Sequence, residues 1–392
     1  MPPFSRLFPS PPRLPIIGNY LQLGTLSHRS FQSLSQKYGP LMMLHLGQLP
    51  VLVVSSIHMA KEVMQTHGIV FANRPSTTLT KALFYGGKDI AFSSYGHTWR
   101  QKKKLCVNEL LSQKRVQSVQ FIREDVNLSE MLIETTNKMI CRCIFGRKYD
   151  DEGYRLGELG RRITSQVGLM FSLAKLKKIK DSSEEMDDFL DRVIVEHKMS
   201  RRDPKKKDFL DILLQLQDDG LTEFELTQND LKALLMNMFL GGSDTTSTTL
   251  EWAMAACKKS SHNEEKDSDV NQMEYMKCVI RETLRMHPAG PLLAPRETTS
   301  SVKLGGYGIP DKTTVYINAW VIQRDPEFWE MPEDFLPERF ENNKVNFNGQ
   351  NFQFIPFGSG KRKCPGMAFG LATTEYMLAN LLYWFDWKFT YK

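Results

Sequence analysis

The run TQNDLKALLMNMFLGGSDTTSTTLEWAMAAC, Thr227 to Cys257, constrains the fold more than any other stretch of the chain. It opens on a Thr-x-x-Asp helix start and then sets Leu231, Leu234, Leu235 and Met238 at helical spacing, so it predicts one long, buried helix. Its middle works against that prediction, with Gly241 and Gly242 followed by Asp244, Thr245 and Thr246. Two glycines cost about 2 kcal/mol relative to alanine in a helix interior. Glycine lets a bulky body approach the backbone, and a threonine hydroxyl can bond back to a carbonyl one turn earlier. Two readings stand at this point: a helix–helix crossing at small residues, or a face kept open for something else.

The rest of the chain is built around helices. Residues 128–260 show helical spacing almost throughout, and SHRSFQSLSQKYG, SIHMAKEVMQTHG and HTWRQKKKLCVNELLSQKRVQSV predict further helices nearer the start. Leu41 to Ala60 carries no Lys, Arg, Asp or Glu and imitates a membrane span, but Gly47, Gln48 and Pro50 break it into two strands and a turn. Residues 72–98, without clear period, read as a long loop, and short strand-like pieces follow residue 301. The fold class is therefore mainly α with a small β portion, in a single domain over residues 1–392. A net charge of +6 on 392 residues is too mild for a dedicated nucleic-acid binder and suits an acidic partner or an anionic membrane surface. The run SRRDPKKKDFLDILLQLQDDG is the strongest basic stretch and reads as a solvated loop or surface helix.

Chemistry concentrates in two places. In KCVIRETLRMHP, Glu282 and Arg285 share a helical face, with Arg339 of PEDFLPERF available as a second cation. An exposed pair of this kind contributes little. In FIPFGSGKRKCPGMAFG, Cys364 follows Lys361, Arg362 and Lys363 inside a glycine-bracketed turn. Cations and backbone N–H groups favour its thiolate, so it could be a nucleophile, a metal ligand or a structural thiol. The nearest preceding histidine, His287, is remote in sequence, and no Cys or His clusters nearby for zinc. A single thiolate suffices as the axial ligand of haem iron, whose porphyrin supplies four ligands.

FGSGKRKCPG resembles the haem-binding signature of the cytochrome P450 superfamily at every fixed position, and GGSDTT, ETLR and PERF resemble its other motifs in the same order. PSPPRLPIIGN resembles the proline-rich hinge of its microsomal members, placing a hinge at residues 1–24. The chain is most similar in style to the plant microsomal group, and within it to coumarin-oxidising members such as psoralen and angelicin synthases. The resemblance implies a haem-thiolate monooxygenase with haem b as cofactor and Cys364 as the iron ligand. It implies Thr245 with Asp244 as the proton relay to dioxygen, and Arg362, Trp99, Lys103, Arg296, Phe357 and Gly366 as haem-binding residues. Lys103 stands where arginine is usual, keeping the charge and losing the bidentate fork. Glu282, Arg285 and Arg339 are implied to form a structural ion network, and Asn237, Gly241, Leu292 and Leu293 to meet the substrate.

No Gly-x-Gly-x-x-Gly follows a strand, so electrons are expected from a separate NADPH-cytochrome P450 reductase, with the basic helix around Arg100 to Lys104 as part of its docking surface. The implied substrate is a small lipophilic plant secondary metabolite (a coumarin, terpenoid or phenolic), oxidised with O2. The implied place is the cytosolic face of the endoplasmic reticulum membrane, with the cytosol as the alternative expectation for a chain without the anchor. This chain departs from the family in having no hydrophobic anchor before the hinge and in ending at FDWKFTYK. IREDVNLSE, the region from Phe171 to Asp188 and ACKKSSHNEEKDSDVNQMEY are contracted beside the family pattern. The alternative expectation is thus a shortened, catalytically defective haem-binding paralogue.

Overall fold

The computed structural model describes residues 8–109, 111, 128–146, 149, 153–167, 176–199, 207–220, 223–260, 269–341, 343, 345–385 and 387. The chain forms two compact units, Met1–Pro75 with Arg281–Cys364, and Ser76–Ile280 with Pro365–Lys392. Most of IREDVNLSE, the first part of the Phe171 region, the centre of ACKKSSHNEEKDSDVNQMEY, the basic run at 200–206 and most of FDWKFTYK lie outside the described residues.

The first unit holds all the strands found among the described residues. β1 (Leu41–Leu46) and β2 (Leu49–Val54) are the antiparallel hairpin the apolar run predicts, in register from Leu41 opposite Val54 to Leu46 opposite Leu49. Gly47 makes the turn at φ +63°, a left-handed conformation that favours glycine. β3 (Arg296–Glu297), β4 (Val302–Leu304), β5 (Tyr307–Ile309) and β6 (Thr314–Ile317) follow. β6 pairs in parallel with β2 and antiparallel with β3, giving the order β1-β2-β6-β3, while β4 and β5 form a separate hairpin. Leu52, Val54, Val315 and Ile317 project from the sheet into a core shared with Val63, Met64, Phe71, Ile322 and Ile355. Burial of these aliphatic faces is the main favourable term holding the unit together.

The second unit is helical. The long helix runs Gln228–Ser260, 33 residues, and starts where its sequence predicts. Thr227 Oγ1 accepts the Asp230 N–H at 3.3 Å and Asp230 Oδ2 accepts the Thr227 N–H at 3.0 Å, a reciprocal cap. Helices Leu128–Phe145, Gly153–Val167 and Met367–Trp384 pack against it. Gly160 is one reason they can: a Cβ there would lie 3.1 Å from the Phe239 ring. Residues 72–98 are not all loop, because Thr78–Leu83 is a helix capped by Thr77 and Thr80, each side chain accepting the other's backbone N–H. No helix among the described residues is long and apolar enough to cross a membrane.

Candidate functional site

The cysteine loop belongs to the first unit. Gly358 and Gly360 turn the chain at φ +66° and +69°. Gly360 is also obligatory for space, since a Cβ there would sit 2.0 Å from the Met64 carbonyl oxygen. The Lys363 N–H donates to Gly360 O at 3.1 Å and the Cys364 N–H to Phe357 O at 2.9 Å, closing the loop on itself. Cys364 is a thiol in no disulfide, and it is exposed. Burial lowers the pKa of Lys363 while the adjacent Cys364 raises it. Phe357 packs edge-on to Phe347 at 5.6 Å, and Gly366 begins the helix Met367–Trp384. Leu293 is held at φ +52°, a strained conformation for a side-chain-bearing residue, with its methyl 3.6 Å from where a Cβ on Gly358 would lie. Leu292 is half-buried.

Beside this loop the unit buries three guanidiniums. Arg362 Nε donates to Ala72 O at 2.6 Å, and Arg296 donates to Phe71 O at 3.3 Å and Ser359 O at 3.0 Å. Arg74 donates to Ala294 O and Pro295 O, both at 2.6 Å. Burial, then repulsion from Arg74 and Arg362, pulls Arg296 down to about 9. A cluster of buried like charges is costly unless an anion offsets it. Sequence reasoning missed Arg74. Its one signal was being the sole charged residue between Gly68 and Thr80.

Glu282, Arg285 and Arg339 do come together, and here the structure corrects the picture of an exposed, weak pair. Glu282 and Arg285 are both 0% exposed. Arg285 grips the carboxylate with two bonds of 2.7 Å, and Arg339 Nε and the Leu336 N–H add bonds at 3.1 and 3.0 Å. Trp329 lies under both guanidiniums, 5.2 Å from Arg285 and 5.8 Å from Arg339. His287 is pulled down to about 4 by burial, then by Arg324 and Arg285, so at neutral pH it carries no charge.

In the second unit, the middle of the long helix resolves the two readings of its glycines. Gly242 belongs to a crossing: a Cβ there would meet Ile140 at 2.7 Å. Gly241 has nothing within 4 Å of that position and is exposed, as is Thr245 one turn on. The Thr245 hydroxyl donates to Gly241 O at 2.6 Å, the back-bonding its position predicts. Asp244 is half-buried beside it. Two turns before Thr245, Asn237 accepts the Ala91 N–H at 3.1 Å and donates to Asp89 at 3.0 Å, so both ends of its amide hold the loop at residues 89–91. Trp99 donates its indole N–H to Ile90 O of the same loop at 2.9 Å, and Lys103 lies 5.2 Å from the Trp99 ring. The basic helix His97–Glu109 is not uniformly a surface. Lys102 is buried, paired with Asp230 and bonded to Lys88 O at 2.6 Å, whereas Arg100 and Lys104 are exposed.

Residues 8–392 match the family model described as Cytochrome P450. The chain belongs to the cytochrome P450 family. It is 46% identical over 435 residues to phenylacetaldehyde oxime monooxygenase of Prunus mume, covering 98% of this chain and 83% of that one. It is 39% identical over 425 residues to costunolide synthase of Cichorium intybus, covering 97% and 87%. Both alignments are longer than the 392 residues of this P450, so each relative carries internal residues with no counterpart here. Among solved structures, a zebrafish cytochrome P450 with progesterone superposes with a TM-score of 0.74 at 29% identity, covering 91% of each chain. The protein is thus a haem-dependent monooxygenase with plant relatives in secondary metabolism, and its mainly helical fold with a small β portion is that of the family. The donor set fits haem: an exposed thiol on a closed glycine turn suits iron, and the repelling arginines beside it suit the propionate carboxylates.

Proposed function

We propose that this P450 oxidises a small lipophilic plant secondary metabolite, a coumarin, terpenoid or phenolic, with O2 and electrons from an NADPH-cytochrome P450 reductase. The observation that carries the reading is the loop in which the Cys364 N–H closes onto Phe357 O beside buried Arg362, Arg296 and Arg74. Bound haem supplies the redox chemistry of oxygen activation. Cys364 holds it as a thiolate, Arg362, Arg296 and Arg74 neutralise its carboxylates, and Phe357 and Gly366 shape the turn on either side of the ligand. Trp99 and Lys103 form a second cationic element, with Lys103 carried over the indole ring.

Thr245 holds a proton at Oγ1 on the exposed face of the long helix, and Asp244 replenishes it. Gly241 keeps that face clear. Leu292 and Leu293 supply apolar contact to substrate. Asn237 serves substrate indirectly, because its amide is committed to the loop at 89–91. Glu282, Arg285 and Arg339 act as a structural network, and residues 1–392 are read as a single P450 domain. Arg100 and Lys104 are the exposed cations of the basic helix that suit an acidic reductase surface. Association with the endoplasmic reticulum surface is supported by exposed Ile16 (86%), Leu21 (76%) and Leu49 (63%) of the first unit.

The internal gaps favour a second reading, a haem-binding paralogue without turnover. Incubation of the haem-loaded protein with a plant reductase, NADPH and a panel of coumarins, terpenoids and phenolics separates the two. Substrate-dependent product that Thr245→Ala diminishes supports the first reading. Reductase-driven haem reduction with no product from any class supports the second.

A further inference from the structure

Gln323 belongs to no motif of the family pattern, yet it is 0% exposed and its side-chain amide makes three hydrogen bonds. Its Nε2 donates to Leu284 O and Arg285 O, each at 3.0 Å, and its Oε1 accepts the Ile355 N–H at 2.9 Å. Two carbonyls facing one end of the amide and an N–H facing the other fix its orientation. The carbonyls belong to the last turn of the helix Asp269–Met286, where backbone acceptors have no partner within the helix. The main chain of Gln323 is tied in as well, its carbonyl accepting Arg285 at 3.0 Å.

On the other side, Ile355 leads directly into the cysteine loop. Its carbonyl accepts the Gly358 N–H at 2.9 Å, starting the first glycine turn. Two residues later, Phe357 O accepts the Cys364 N–H at 2.9 Å. One side chain therefore joins the end of the helix carrying Glu282 and Arg285 to the backbone that presents Cys364, entirely within the first unit.

We propose that Gln323 is a positioning residue for the iron ligand: by holding the Ile355 N–H, it fixes the loop from Ile355 to Cys364 at the depth where the sulfur binds as thiolate. The proposal rests on the reading of Cys364 as that ligand. Without the bridge, the loop can relax away from the helix end and the ligand converts to the weaker, protonated thiol form.

The test uses the haem-loaded protein and three variants. Gln323→Met keeps length and burial but loses all three side-chain bonds. Gln323→Glu retains an acceptor for Ile355 and loses the two donations. Thr313→Val is the control: it removes a 2.9 Å bond from the buried Thr313 hydroxyl to Pro310 O, in the same unit but outside the bridge. The readout is the rate at which the reduced, carbon-monoxide-bound protein converts from the thiolate-type to the thiol-type Soret band, measured alongside the melting temperature. A net loss worth a single hydrogen bond predicts about tenfold faster conversion in Gln323→Met, and at least as fast a conversion in Gln323→Glu, whose buried carboxylate faces two carbonyl oxygens. Thr313→Val should lower the melting temperature and leave the conversion rate unchanged.

Equal conversion rates in Gln323→Met and Thr313→Val would overturn the proposal. Should Gln323→Met take up no haem, Gln323→Glu carries the same comparison, and conversion no faster than in Thr313→Val overturns it equally. A wild-type protein without a thiolate-type band overturns the assignment of Cys364, and the proposal with it. A normal wild-type band with unmoved Gln323 variants overturns only the role of Gln323.

Discussion

Replacing Glu282 by glutamine is the sharpest perturbation of the scaffold behind the cysteine loop. Glu282 Oε1 accepts from Arg285, Arg339 and the Leu336 N–H, and Oε2 accepts from Arg285. Glutamine keeps the shape, removes the negative charge and turns an NH2 donor toward donors. Arg285, 0% exposed, is then a buried cation with no carboxylate partner. Breaking a buried pair from one side costs about 3–5 kcal/mol. At roughly 2–4 °C per kcal/mol for a domain of 150–250 residues, the melting temperature should fall by on the order of 10 °C.

The double variant Glu282→Met with Arg285→Met removes both charges together. It should lose less than the single variant, because apolar replacement of a whole buried pair is often near neutral. Differential scanning calorimetry on the three haem-loaded proteins gives the comparison. A Glu282→Gln melting temperature within about 2 °C of wild type, or a double variant less stable than the single one, would refute the reasoning.

Other outcomes follow from particular residues. Gly360→Ala should abolish stable haem retention, because the new Cβ would collide with the Met64 carbonyl at a left-handed φ; a gel-filtration profile with haem still comigrating at full occupancy contradicts this. Gly242→Ala should destabilise the second unit through its 2.7 Å contact with Ile140, whereas Gly241→Ala should raise the melting temperature or leave it unchanged; thermal scans decide the order. His287, held down to about 4 against an ordinary value near 6.5, binds its proton more readily unfolded than folded. Its contribution is therefore present above pH 6.5 and lost as pH falls toward 4, and urea titrations of His287→Gln should show a flatter acid limb than wild type.

Much of the architecture was legible because it follows local rules. The hairpin at Leu41–Val54 is written in β-branched and aliphatic residues around Gly47, and the long helix in its Thr227–Asp230 start and apolar spacing. The cysteine loop is legible for a related reason: glycine, cation and thiol sit within a few residues of each other in sequence. What escaped depends on partners distant in the chain. The helix Thr78–Leu83 was hidden because its cap pairs Thr77 with Thr80 instead of with an acidic residue. Lys102 looked like one more surface cation until Asp230, 128 residues away, claimed it. Asn237 and Trp99 looked only like groups reaching for a ligand, and the structure shows that both also hold the loop at 89–91. Glu282 and Arg285 lie three residues apart, but the groups packed around the buried pair, Gln323, Trp329, Leu336 and Arg339 among them, come from 38 to 57 residues away. Gln323 carried no signal at all, since its partners lie 38, 39 and 32 residues off.

The central claim is that Cys364 binds haem iron as a thiolate. The reduced carbon-monoxide difference spectrum of purified wild-type protein and Cys364→Ser tests it most directly. A thiolate-type Soret band in the wild type that vanishes in Cys364→Ser is the predicted result. A haem-loaded wild type without that band, or a serine variant that keeps it, would contradict the account.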